Sequence, residues 1–135
     1  LITAVDTSVL VDVFGADPRH GAGSAAALRR CLNEGAIVAC CVVWAETRAA
    51  FAAEEPFVSA MRALGIGFSA LGERAAVLAG ANWKAYRAAG GKRDRVMADF
   101  MIGAHAIVHC DRLLTRDRGY YRKYFDGLAL VDVSK

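Results

Sequence analysis

Asp6, Glu46, Asp99 and Asp117 lie far apart in the chain, yet each falls at the boundary of a local sequence pattern. Asp6 closes the apolar run ITAVD, and Asp117 comes two residues after RLLT. Glu46 follows the apolar run AIVAC, and Asp99 opens the helical stretch MADFMIGAHAIVH. Carboxylates within about 4–6 Å of one another raise each other's pKa and resist ionisation together. A divalent cation removes that conflict, and an all-oxygen donor set selects a hard ion such as Mg²⁺ or Mn²⁺. The chemistry such a site supports is hydrolysis of a phosphodiester by an activated water, with charge on the phosphoryl oxygens neutralised.

Each acid also has a plainer use. Asp6 suits the N-cap of a helix TSVLVDVF, and Asp117 suits the cap of RGYYRKYF. Glu46 and Asp99 are expected in the first turns of their helices, where the helix dipole favours an acid. Four acids at element ends facing one way favour a shared pocket over four separate caps.

The elements alternate as strand and helix. Strands are expected at 2–6, 36–40, within 65–71, at 112–115 and at 128–133. Helices are expected from Thr7 to Phe14 and over 24–33, 43–54, 56–64, 72–89, 97–109 and 118–124. Ser24 is the expected N-cap of the second helix and Gly35 its stop, while Pro56 suits a first helical turn. Strands joined by helices pair mainly in parallel, with helices on both faces, and ligands gather at the carboxyl ends of such strands. No repeat or linker divides the chain, so residues 1–135 are expected to form a single domain.

With 135 residues, 56% of them hydrophobic, the chain can bury an ordinary core without staples. No apolar run approaches the roughly 20 residues of a membrane span, and the opening residues lack a signal-peptide pattern. A cytoplasmic protein with no membrane association is expected. Cys31, Cys40, Cys41 and Cys110 contain no C-x-x-C spacing and read as reduced thiols. The net charge is +3, and setting the four acids aside leaves the remainder at +3 + 4 = +7, a surface suited to a polyanion.

At this point the sequence resembles the PIN-domain ribonucleases, specifically the VapC-type toxins of bacterial toxin–antitoxin pairs. The resemblance runs from about residue 2 to residue 133 and rests on VDTSVLVDVF, VVWAET, ADFMIGAHA and LLTRDRGYYRKYF, in that order. It implies a three-layer α/β/α sandwich with a central parallel sheet and Mg²⁺- or Mn²⁺-dependent endonucleolytic cleavage of RNA. The family's acid quartet carries over to Asp6, Glu46, Asp99 and Asp117 as catalytic and metal-holding residues. Ser8 and Thr115 match supporting hydroxyl positions. It also implies a VapB-like antitoxin as partner, and a homodimer. The sequence departs from some relatives after the fourth acid, where Arg118, Gly119 and Tyr120 stand instead of a further carboxylate. One firmly held ion is therefore expected, with a second, if any, recruited by substrate phosphate.

Lys92, Arg93, Arg116 and Arg118 bracket two of the acids and are candidate contacts to RNA phosphates, against the plain alternative of a solvated surface. Tyr120, Tyr121, Tyr124 and Phe125 could stack on unpaired bases, but their helical spacing favours a packed aromatic face, and Trp44, Phe51, Trp83 and Tyr86 suit a core or dimer interface. Asp12, Asp94, Asp111 and Asp126 read as helix-surface or turn acids. His105 and His109, four apart on a helix, lack the Glu and third ligand of a zinc site. A haloacid-dehalogenase-like phosphatase needs an Asp where Ser8 stands, and a phospho-receiver needs an Asp after the third strand, where FSAL has none. The stronger alternative is a catalytically silent PIN-like module that binds protein or RNA.

Overall fold

The computed structural model describes residues 1–92, 97–116 and 120–133. Arg93, Asp94, Asp117 and Arg118 therefore lie outside the described residues. Five strands, β1 (Ile2–Val5), β2 (Ala36–Cys40), β3 (Ile66–Ser69), β4 (Arg112–Thr115) and β5 (Leu130–Asp132), form one sheet in the order β3-β2-β1-β4-β5. Every pairing is parallel. The connecting helices are α1 (Thr7–Phe14), α2 (Gly21–Glu34), α3 (Cys41–Ala49), α4 (Glu54–Leu64), α5 (Gly72–Ala88), α6 (Met97–His109) and α7 (Tyr120–Tyr124). The sheet thus sits between helical layers, as an α/β/α sandwich.

The strand order follows from the crossovers. From β1 the chain steps outward to β2 and β3. It then returns through α5 and α6 and lays β4 on the opposite side of β1. Successive strands therefore diverge from the gap between β1 and β4, and in parallel sheets the crevice above such a switch point is where ligands bind.

The core strands are short apolar runs, as expected where both faces are covered. Ala4, Val5, Leu113 and Leu114 are buried in the two strands that flank the gap. Helices α5 and α6 pair antiparallel. At one end Trp83 meets Phe100 edge-on at 5.3 Å. At the other, His109 Nε2 donates to the Leu71 carbonyl at 2.7 Å. Phe100, wholly buried, also contacts Tyr86 at 5.3 Å and Phe125 at 5.9 Å. The ring of Tyr124 meets Tyr86 edge-on at 5.0 Å. Of the aromatic residues after β4, Tyr121 and Phe125 thus lie in the core and Tyr124 packs beside it.

Several boundaries differ from the sequence reading. Ser24 is not an N-cap: α2 begins at Gly21, and the buried Ser24 hydroxyl donates to Asp12 Oδ2 at 2.9 Å. The turn before α2 is instead held by Asp17, whose Oδ1 accepts from the amides of Arg19 and His20 at 2.8 Å each. These two bonds hold the Asp17 carboxyl below its usual pKa. Asp12 is no surface acid, being 2% exposed. Helix α3 starts at Cys41, directly from β2, so Glu46 lies in its second turn and draws less from the helix dipole than a first-turn acid. Asp99 does occupy the first turn of α6.

Candidate metal centre at the sheet's switch point

Asp6 stands immediately after β1, at the N-cap position of α1 with extended backbone (φ −81°, ψ 150°), yet its side chain makes no capping hydrogen bond. The carboxylate turns across the gap instead, where Oδ2 accepts from Thr115 Oγ1 at 2.8 Å. The Tyr121 hydroxyl lies 3.5 Å from the same oxygen. Register explains the meeting. Val5 pairs with Leu114, so the next residues on the two strands, Asp6 and Thr115, come level at the carboxyl edge. The backbone amide of Asp6 donates to the Leu114 carbonyl at 2.9 Å and continues that ladder by one step. Asp6 is 8% exposed, so its carboxylate depends on such donors.

Glu46 reaches the same corner from α3. Its Oε1 accepts from Thr7 Oγ1 at 2.6 Å, which ties it to the residue next to Asp6. Ser8 follows in the first turn of α1, and its Oγ is buried without a hydrogen-bond partner among the described residues. Asp99 comes from α6. Helix α6 ends two residues before Asp111, whose amide donates to Ile2 O at the amino edge of β1. The helix packs on β1, β4 and α3, so Asp99, ten residues before its end, lies about 15 Å back along it, away from that edge.

The structure thus joins Asp6 to Thr115, and Glu46 to the neighbouring Thr7. No group of three or more His, Cys, Asp or Glu side chains with the closeness of a metal site occurs among the described residues, which do not include Asp117. The donors at the gap nevertheless suit a hard divalent cation: they are carboxylate and hydroxyl oxygens, and the buried Ser8 hydroxyl has hydrogen-bonding capacity left over. Cys40, at the end of β2, offers no competing soft ligand, because burial pushes its thiol pKa up. Nor do the two histidines form a metal pair. His105, 1% exposed, is hydrogen-bonded through Nε2 to Ser69 Oγ at 2.8 Å, and burial with His109 nearby lowers its pKa to about 4.

Among the candidate phosphate contacts, Lys92 is exposed, and its carbonyl accepts from the Tyr86 hydroxyl. Arg116 is partly committed: Nε donates to Asp12 Oδ2 at 2.8 Å and Nη2 to Asp12 Oδ1 at 3.1 Å. Sequence reasoning missed this pair because 104 residues separate its members. A second buried hydroxyl without a partner among the described residues, Thr47 Oγ1, belongs to a residue lining a cavity of about 340 Å³ between α1 and the end of α3. Val11, Phe14 and Phe51 form its apolar walls.

The PIN domain sequence profile matches residues 3–126. The chain belongs to the PIN domain family. Solved structures share this PIN domain's fold over nearly its whole length. VapBC2 from Rickettsia felis, bound to a promoter DNA fragment, aligns with a TM-score of 0.76 at 16% identity, covering 98% of each chain. DNA-bound VapBC from Salmonella typhimurium aligns at 0.71 with 16% identity, again over 98% of each chain. FitAcB from Neisseria gonorrhoeae aligns at 0.68 with 20% identity and the same coverage. No curated relative matches the chain in sequence. No helix among the described residues is long and apolar enough to cross a membrane.

Proposed function

We propose that this PIN domain is a metal-dependent endoribonuclease and the toxin of a toxin–antitoxin pair. The observation that carries the reading is the carboxylate of Asp6. It sits at a helix N-cap, forgoes the cap, and is buried across the sheet's switch point against Thr115. A residue serving only α1 has no reason to turn that way.

In this reading Asp6, Glu46, Asp99 and Asp117 hold Mg²⁺ or Mn²⁺, with Ser8 and Thr115 in support. A bound divalent cation supplies charge neutralisation at the phosphoryl oxygens and a more acidic water. The chain's own residues do the rest. Thr115 fixes one oxygen of Asp6 and so aims the other, while Thr7 does the same for Glu46. Lys92, Arg93, Arg116 and Arg118 draw the RNA backbone toward the acids. A VapB-like antitoxin, as in the toxin–antitoxin assemblies that share the fold, would act by covering this acidic crevice. A homodimer and a cytoplasmic location complete the proposal.

The test is cleavage of single-stranded RNA by the purified chain with Mn²⁺, with EDTA, and after Asp6→Asn. Cutting that needs the metal and falls at least about 100-fold in the variant is expected, in line with loss of a group that acts on the transition state. RNA binding without any cutting would instead favour the silent binding module. Cutting indifferent to EDTA would remove the metal from the proposal.

A further inference from the structure

Arg116 leaves β4 between Thr115, which holds Asp6, and Asp117, the fourth acid of the proposed quartet. Its guanidinium is gripped along one edge. Nε and Nη2 meet the two oxygens of Asp12 at 2.8 and 3.1 Å, and Ser24 Oγ adds a third bond to Asp12 at 2.9 Å. A two-point match of this kind fixes the plane of a guanidinium, which a single ammonium contact cannot do. The other edge is open: the Arg116 side chain keeps 31% exposure, and Nη1 has no partner among the described residues. The negative charges of Asp17 and Asp6 also bear on it. An arginine held on one edge, exposed on the other and one residue from Thr115 is ordered before any anion arrives.

We propose that Asp12 is a positioning residue for substrate: it holds Arg116 so that the free edge meets a phosphate of the RNA strand at the crevice. The proposal rests on the nuclease reading. A free arginine side chain loses rotamer freedom when it grips a phosphate, and one already ordered by Asp12 loses little. The buried acid is otherwise poorly explained, since an ion pair of this kind is weak evidence for added stability.

Two measurements test it on the folded chain: binding of a single-stranded RNA oligonucleotide in EDTA across a salt series, and steady-state cleavage with Mn²⁺. Arg116→Ala should make the plot of log affinity against log salt shallower by about 0.7, the share of one phosphate on a single strand. It should also raise KM about tenfold with kcat nearly unchanged, the signature of lost charged hydrogen bonding in the ground state. Asp12→Asn, which keeps size and one acceptor, should raise KM severalfold. The double variant should be no worse than Arg116→Ala alone, because the two residues act as one unit. Should Asp12→Asn fail to fold, Arg116→Lys keeps the charge without the two-point grip and should show the same rise in KM. Wild-type KM and salt slope in a folded Asp12→Asn or Arg116→Lys chain overturns the proposal. So does a loss confined to kcat, which would make the pair a support for the acids. Wild-type RNA binding with the expected variant slopes, but no cutting, overturns the nuclease reading and leaves only the Arg116–phosphate contact, as one of RNA binding.

Discussion

The position of Asp6 and its task point in different directions. By sequence it is a model N-cap, and by backbone conformation it occupies that place, but its side chain answers to Thr115. Thr115→Val would keep shape and burial while removing one of the donors to the buried Asp6 carboxylate. Loss of a hydrogen bond to a charged group costs about 1.5–3 kcal/mol. We expect a lower unfolding midpoint by calorimetry and about tenfold slower cleavage if Asp6 carries the chemistry. His105 makes a separate prediction. Its folded pKa, lowered from 6.5 to about 4 by burial and by His109, means the fold holds the neutral ring. The unfolded chain takes up a proton below pH 6.5 and the folded chain does not until about 4. Its contribution is therefore full above 6.5 and is lost as pH falls toward 4, by up to about 3 kcal/mol. Denaturant titrations at pH 7 and pH 5 should show about 2 kcal/mol of that loss in the wild type and a smaller one in His105→Gln. Asp6 and Asp99 were readable as acids at element ends, where the structure also has them. The roles of Asp12 and Ser24 were not, since nothing local tells a buried acid from a solvated one until its distant partner is known.

Among the elements, the alternation of strands and helices was legible because short β-branched runs and long alanine-rich stretches carry different periods. The ends were less so. Helix α3 begins without a break from β2 at Cys41, where no capping residue announces it, and this moved Glu46 back by a turn. Gly65, in left-handed conformation (φ 73°), closes α4 as a helix-stop glycine should. Gly103 carries no such signal, yet it is needed: a Cβ there would lie 2.6 Å from Phe125 Cε2. Phe125 is 1% exposed in the core, so it has little room to retreat. Gly103→Ala, normally favourable in a helix, should instead destabilise by about 1–3 kcal/mol through overpacking, measured by chemical denaturation.

For the molecule as a whole, a site that gathers carboxylates should make stability depend on the ion that relieves them. At 100 times its dissociation constant, Mn²⁺ should add about 2.7 kcal/mol to unfolding free energy. A thermal scan with and without Mn²⁺ should show a raised midpoint for the wild type and almost none for Asp6→Asn. A shift of equal size in both would place the ion elsewhere. The parallel sheet could be read from the sequence, but its strand order could not, because pairing of β1 with β4 is decided by how helices pack between them.

That pairing joins residues 109 apart, Asp6 and Thr115. During translation, the first strand must wait beside β2 with its far flank uncovered until the fourth emerges from the ribosome. Whatever the crevice does, it does only once β4 has arrived, so a chain halted before that strand would be born inert.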